Sequence, residues 1–357
     1  MGLNIAPTFR VVANNQDITA KIADRLKSIR ITDETGDASD TLEIDLADHL
    51  SEDPIPLPSV GAELEAFMGY DGEVTRMGAY VADEIELSGW PCSMVIRARS
   101  APFEASKAGK SDLQTQKTRT WKRGTTLGDM VKRIAGEHGL APAITAELSG
   151  VALPVTQQSQ ESDINLLLRI ARRYDAIAKP AGGKMLFIKR GDSKTVSGAS
   201  MEPVTLTPSD GSDYRVTIAA REDAGTTVAY YRDKAAARRM EVAVGSGDPV
   251  VRVRTAYADR VSAEAAAKAR HRERARSTRQ LSYTVPGNPA LRAEATVTMQ
   301  GFREGVDGAW LVKRAEHYMG PDGYRTTIEC EIPNADPEIA EAVNAGAEDR
   351  EQAAAEI

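Results

Sequence analysis

The sequence predicts a mainly β fold with an α+β insertion. Two tandem, similar β-barrel domains over 1–105 and 201–333 flank a small α+β domain at 106–200, and an acidic C-terminal helix occupies 334–357. Three observations predict this. Apolar residues alternate through most of the first hundred residues, helical spacing is confined to a few short stretches, and one strand-rich segment near the start is echoed near the end.

The first barrel is read from the stretch between 28 and 97, where Leu42, Ile44 and Leu46 alternate with Glu43 and Asp45. That is the period-two pattern of a half-buried strand. The breakers Asp33-Glu34-Thr35-Gly36-Asp37 and Tyr70-Asp71-Gly72 separate such runs, and Pro54, Pro56 and Pro58 force an extended crossing. A meander closing into a barrel accommodates these elements.

Past residue 100 the pattern changes. Thr125-Thr126-Leu127-Gly128-Asp129 reads as a helix start, and Leu127, Met130, Val131 and Ile134 recur at helical spacing before Gly136 and Gly139. A second helix begins near Ser162-Asp163. Its apolar face carries Ile164, Leu167, Leu168, Ala171 and Tyr174, with Arg169, Arg172 and Arg173 on the other face, two of them in the last turn where the helix dipole favours cations. Lys184 to Lys189 reads as a strand after the Gly182-Gly183 turn, and the Ser, Thr, Asp and Gly beyond Gly191 read as a linker. Strands resume at 214–219, 226–231 and 250–257. A long helix rich in Ala and Arg is expected over 262–278 with Ser262 as N-cap, and strands return from 293 to 332. Asp336-Pro337-Glu338 supplies the cap, first-turn proline and acidic first turn of the terminal helix.

Composition narrows the function classes. With 45 Lys and Arg against 52 Asp and Glu the formal charge is -7, so the chain as a whole is no counter-ion for nucleic acid. Cys92 and Cys330 form no CxxC or zinc spacing, and the first ten residues lack a signal-peptide pattern. No apolar run approaches the roughly 20 residues of a membrane-spanning helix. A reduced cytosolic origin is the expectation, the protein staying in the cell that makes it or leaving by lysis.

The echo is the most informative feature. Ala62-Glu63-Leu64-Glu65-Ala66-Phe67-Met68-Gly69-Tyr70 is repeated as Ala293-Glu294-Ala295-Thr296-Val297-Thr298-Met299-Gln300-Gly301-Phe302 with one residue inserted. Gly78-Ala79-Tyr80-Val81 returns as Gly308-Ala309-Trp310-Leu311, and each leads into an alternating strand ending near Glu86 or Glu316. Two similar domains on one chain would let a three-fold ring present six nearly equivalent units, which fits a trimer to a hexamer.

On these and further segments the sequence resembles the phage late control protein D family. This is the baseplate hub of contractile tails, related to the amino-terminal part of type VI secretion spike proteins. The resemblance is carried by Leu57-Pro58-Ser59-Val60-Gly61, by Thr126-Leu127 through Ile134-Ala135-Gly136-Glu137-His138-Gly139-Leu140, and most specifically by Gln158 with Glu161-Ser162-Asp163-Ile164-Asn165-Leu166-Leu167 through Tyr174-Asp175-Ala176. Gly308-Ala309-Trp310-Leu311-Val312, His317 and Gly323-Tyr324-Arg325-Thr326 match its closing pattern. It implies a structural homotrimer between the hexameric tail tube protein and the trimeric central spike protein, adapting six-fold to three-fold symmetry. Tape measure protein and other baseplate components are further partners, and DNA passes through the lumen without specific binding. Such a hub is built in the host cytoplasm and ends in the tail baseplate of a virion or a phage-tail-like particle. Low aromatic content and the long acidic tail depart from the family.

Chemistry is not expected. His49, His138, His271 and His317 are scattered with no metal-ligand spacing, no GxSxG exists, and neither cysteine neighbours a histidine in sequence. No catalytic, cofactor-binding or metal residue is assigned, and no cofactor is implied. Gly182-Gly183-Lys184-Met185 lacks the first glycine and the hydroxyl of a phosphate loop and reads as a turn. Trp121, Gly124, Thr126, Leu127, Ile134 and His138-Gly139 resemble a LysM repeat, which leaves a peptidoglycan-binding or cell-wall-degrading tail component as the alternative function. The basic run Lys268 to Arg276 spreads cations over several faces of its helix and reads as a solvated or protein-facing surface, with an acidic partner preferred to nucleic acid.

Overall fold

The computed structural model describes residues 6–36, 39–48, 54–100, 113–181, 183–191, 201–219, 225–233, 237–333 and 339–340. The chain divides into two compact units: 1–171 with 176–218 and 279–333, and 172–175 with 219–278 and 334–357.

The first unit begins with β1 (Pro7–Ala13), β2 (Gln16–Asp17), the short α1 (Thr19–Ile22), β3 (Leu26–Glu34), β4 (Thr41–Ala47), β5 (Glu63–Tyr70), β6 (Glu73–Ser88) and β7 (Ser93–Ser100). Alternation places Leu42, Ile44 and Leu46 inward, all buried with Ile29, Ile31, Met68, Tyr80 and Met94 in one core.

The α+β insertion follows: β8 (Gln116–Trp121), α2 (Leu127–Glu137), β9 (Ala141–Ile144), α3 (Ala146–Ser149), β10 (Thr156–Ser162), α4 (Asp163–Arg173), β11 (Ala176–Ala181) and β12 (Lys184–Lys189). The expected cap is present, since Thr126 Oγ1 accepts from the Asp129 amide at 3.1 Å. Leu127, Met130, Val131 and Ile134 are buried as their spacing requires. Lys179 on β11 anchors the insertion to the sheet. Its ammonium donates to the Glu34 carbonyl at 3.1 Å and to Asp40 at 3.2 Å.

The chain then adds β13 (Val204–Leu206) and β14 (Ser212–Ile218) to the sheet and enters the second unit with β15 (Thr226–Asp233), β16 (Arg238–Gly245), β17 (Val250–Tyr257) and α5 (Arg260–Ser277). It returns as β18 (Arg279–Pro286), β19 (Thr296–Met299), β20 (Gly308–Gly320) and β21 (Gly323–Glu331). In the second unit Ala263 and Ala267 of α5 pack on Ala229, Val242 and Val244. Small side chains allow that close approach, and alanine also favours the helix. Arg276 and Asp175 form a buried two-pronged pair at 2.7 and 2.9 Å.

Two expectations change. The strands of 1–105 and 201–333 do not make two closed barrels: all but β15, β16 and β17 share one 13-stranded sheet, whose main path is β14-β18-β21-β20-β3-β4-β7-β6-β5-β1-β2, with β19 on β20 and β13 on β19, while β15, β16 and β17 lie in a separate sheet in the order β17-β15-β16. Closure of the first half would require β3 to bond to β1; instead that edge of β3 is occupied by β20. The acidic helix expected over 334–357 lies outside the described residues except at Ile339–Ala340, which forms a short strand, β22, against β16. The 192–200 part of the expected linker and His49 also lie outside the described residues.

Candidate assembly interface

The two halves of the sheet repeat one another in register. Leu64 stands opposite Tyr80 and Ala66 opposite Gly78; in the second half Val297 stands opposite Trp310 and Met299 opposite Gly308. One strand further, Ala82 pairs with Ala98 and, past a bulge, Glu84 with Arg97. Val312 pairs with Cys330 and, past a bulge, Arg314 with Glu329. The residue passed over is Asp83 in one half and Lys313 in the other. A bulge leaves one residue unpaired and bends its strand, so its recurrence at the same place fixes the same local shape twice. The match continues outward: Leu42 opposite Ala98 and Ile31 opposite Leu42 correspond to Leu281 opposite Cys330 and Val216 opposite Leu281. Only the outer partner differs, because β1 runs antiparallel to β5 and β13 parallel to β19.

Tyr80 and Trp310 fill equivalent core positions, both buried. Trp310 Nε1 donates to the Val306 carbonyl at 2.7 Å, which satisfies the indole N–H. Gly78 is constrained by its neighbour, since a Cβ there would run into the Tyr80 ring.

The halves join where β20 lies antiparallel to β3, with Arg314 opposite Glu34, His317 opposite Ile31 and Met319 opposite Ile29. Arg30 Nε lies 3.7 Å from Glu316 Oε1, and Arg314 Nε lies 3.0 Å from Glu34 Oε1. The tip of the β20–β21 hairpin reaches into the first half. Met319 and Tyr324 belong to that half's core, and the rings of Tyr324 and Tyr70 are 5.5 Å apart.

The equivalents of these joining surfaces have no such partner. Residues 84–88 of β6, which correspond to 314–318 of β20, pair with β7 on one side and with no described strand on the other. Their hairpin ends in Trp90, 87% exposed, with Leu87 at 55%. β14, which corresponds to β3, pairs with β18 alone and leaves Ile218 62% and Tyr214 46% exposed. An open, alternating strand edge is a template for pairing with another chain.

Polar residues singled out in the sequence serve the architecture. Asp163, wholly buried, accepts from Lys117 at 2.8 Å, Arg119 at 2.5 Å and Gln158 at 2.8 Å, and lies 2.9 Å from His138 Nε2. Burial opposes its ionisation, but the hydrogen bonds from Lys117, Gln158 and His138 and the charge of Arg119 hold its carboxyl down at about 2. This cluster ties β8, β10, α2 and α4 together, which accounts for the Gln158 and Asp163 positions of the family-like segment. Trp121 is 5% exposed beneath the Arg119 and Arg133 guanidiniums, so its face offers no sugar platform. His317 is buried, with Nδ1 3.0 Å from the Tyr324 and Thr326 hydroxyls and Nε2 3.0 Å from the Leu291 carbonyl. Burial, aided by the nearby Arg292 charge, lowers its pKa to about 4. Burial likewise pushes the Cys330 thiol well up. Among the described residues no group of three or more His, Cys, Asp and Glu side chains is arranged to hold a metal ion, and no helix is long and apolar enough to cross a membrane. His271 and the basic run lie on α5, where Arg270 pairs with Glu273 at 2.6 Å.

A sheet of two related halves with open edges, whose singled-out polar residues are tied into the architecture, defines an assembly protein more than a site of chemistry. The chain belongs to the phage tail baseplate hub (GPD) family, whose model matches residues 56–323. It is 31% identical to a probable baseplate hub protein of Escherichia phage 186, over 94% of this chain and 96% of that one, and 30% identical to the corresponding protein of Escherichia phage P2 with the same coverage. Among solved structures the fold resembles the 43 kDa tail protein of prophage MuSo2 from Shewanella oneidensis, with a TM-score of 0.69 at 13% identity over 92% of this chain and 99% of that one. It also resembles an E. coli type VI secretion component described as similar to the phage T4 tail proteins gp27 and gp5, with a TM-score of 0.51 at 11% identity over 87% of this chain and 74% of that one.

Proposed function

We propose that the chain is a structural, non-enzymatic baseplate hub that assembles as a homotrimer and adapts a six-fold tail tube to a three-fold central spike. The observation that carries this reading is the repeated register. Leu64 with Tyr80 and Val297 with Trp310 occupy the same position in two hairpins that share a β-bulge. Three chains then contribute six related sheet halves, so one face of a three-fold ring meets six similar partners while the chain-specific parts keep true three-fold symmetry for the spike.

The four-part division at 1–105, 106–200, 201–333 and 334–357 is part of this proposal. The repeated strands within 1–105 and 201–333 form the ring, and the insertion belongs to the chain-specific part. The partners are the tail tube protein and the central spike protein, with tape measure protein and other baseplate components alongside. DNA traverses the ring without specific contacts, as a net charge of -7 favours. The protein is assembled in the host cytoplasm and resides in the tail baseplate of a virion or a phage-tail-like particle. The peptidoglycan reading loses its main support with Trp121 buried.

Co-expression with the tube and spike proteins of the same tail tests the proposal. A complex containing three copies of the chain with both partners is expected. A chain that binds neither, or that clears a peptidoglycan suspension, contradicts it.

A further inference from the structure

The junction between β20 and β3 is a template for a second junction that a single chain cannot make. Register pairs each residue of β20 with one of β6 and each residue of β3 with one of β14. Arg314, past the bulge, corresponds to Glu84, so Glu316 corresponds to Glu86 and His317 to Leu87. Ile31, opposite Leu42, corresponds to Val216, opposite Leu281, so Arg30 corresponds to Arg215 and Thr32 to Thr217. The free edge 84–88 and the edge of β14 are therefore the two sides of one missing joint.

Resting on the trimer reading above, we propose that residues 84–88 of one copy pair antiparallel with β14 of the next, with Leu87 opposite Val216 and Glu86 opposite Thr217, and that Arg215 forms an intermolecular ion pair with Glu86. Inside the chain the corresponding residues behave this way: His317 stands opposite Ile31, Glu316 opposite Thr32, and Arg30 Nε lies 3.7 Å from Glu316 Oε1. The partner is a second copy of this chain, because only another copy carries both the complementary edge and the repeated register.

A second observation, independent of strand register, points to the same occupant. In the intrachain joint the tip of the β20–β21 hairpin buries Tyr324 against Tyr70. The corresponding tip of β6–β7 carries Trp90, the most exposed of the large apolar side chains among the described residues. Beyond the end of β19, the strand that corresponds to β5, Phe302 forms an aromatic patch with Tyr214 and Tyr283, whose rings meet edge to face at 5.1 to 6.4 Å. Trp90 of one copy seats against this patch of the next, at the end of the joint where Tyr324 sits inside the chain. A central aromatic anchor beside strand pairing is a familiar source of interface energy.

Charge reversal tests the pairing. Glu86→Arg and Arg215→Glu each place like charges in contact and are expected to weaken self-association at least about tenfold in sedimentation or native mass measurement, while the double variant restores it. Arg215 is exposed, so the unfolding transition of Arg215→Glu should match the parent. Glu86 also lies 2.7 Å from Arg97 in its own chain, so Glu86→Gln, which removes the charge without setting a second cation beside Arg97, is measured with it and should weaken association with a near-parent unfolding transition. Fluorescence supplies a second readout. Trp121 and Trp310 are buried within the chain, so a blue shift on assembly reports Trp90, and Trp90→Phe should abolish it. If the parent forms trimers and the single reversals leave them intact with no fluorescence shift, the joint proposed here is wrong while the hub reading stands. A parent that stays monomeric at all concentrations overturns both.

Discussion

Trp310 stands opposite Val297 at the same position in its hairpin that Tyr80 takes opposite Leu64, and both aromatics sit in closed apolar cores. Each ring is thus the main filling of its own half of the sheet. Trp310→Ala and Tyr80→Ala should each lower stability by about 3 to 5 kcal/mol, the usual cost of removing a large aromatic from a core. Chemical denaturation checks this, and a parent-like midpoint in either variant would contradict the burial.

His317 makes stability depend on pH. Its folded pKa of about 4 lies below the unfolded value near 6.5, so between those limits the unfolded chain binds the extra proton. Its contribution is intact above pH 6.5 and is lost progressively as pH falls towards 4, by about 3 kcal/mol in all. Denaturant midpoints measured across that range should fall more steeply for the parent than for His317→Gln, whose own loss of stability is independent of pH.

Asp163 acts in a lower window. Its pKa of about 2 lies below the ordinary 3.8, so its stabilising contribution is present above pH 3.8 and disappears between there and pH 2. Asp163→Asn removes the buried one of the two carboxylates that Lys117 and Arg119 share, the other being Glu137, and should cost about 3 kcal/mol at neutral pH. Equilibrium unfolding followed by Trp121 fluorescence reads this directly, because Arg119 also stacks on that ring.

In the second unit, Asp175→Ala removes the carboxylate that pairs with the buried Arg276 guanidinium and should destabilise by about 3 to 5 kcal/mol, whereas replacing both by apolar residues of similar size recovers most of the loss. Hydrogen exchange of α5 amides provides the measurement, with faster exchange in the single variant and near-parent exchange in the double.

Much of the local structure was legible because it depends on neighbours in sequence. The α2 cap, the apolar face of α2 and the strand at Lys184–Lys189 follow from spacing. The face of α4 was misplaced: Leu166 and Ile170 are buried with Leu167 and Ala171, whereas Ile164 and Leu168 are only half-buried, because a run of leucine and isoleucine on neighbouring positions fits two adjacent faces. The echo was also visible, though offset. Sequence similarity aligned Ala62 with Ala293, whereas hairpin register equates Leu64 with Val297, two residues along. Glu294, at a φ of 68°, takes up the difference in a turn. A shift of two keeps every side chain on its own face, so the alternation looked the same either way. Barrel closure was misread because alternation tells which face is buried and not which strand lies beside an edge. The β3–β20 pairing links segments nearly the whole chain apart and leaves no local sign. Only through that pairing do the open edges at 84–88 and β14 come out as counterparts of β20 and β3.

The most direct measurement is an image of the isolated oligomer down its axis together with its native mass. Three copies of the 38.5 kDa chain, about 115 kDa, arranged as six similar lobes with true three-fold symmetry, are predicted. A ring with another copy number, or one whose lobes alternate between unrelated shapes, would contradict the account.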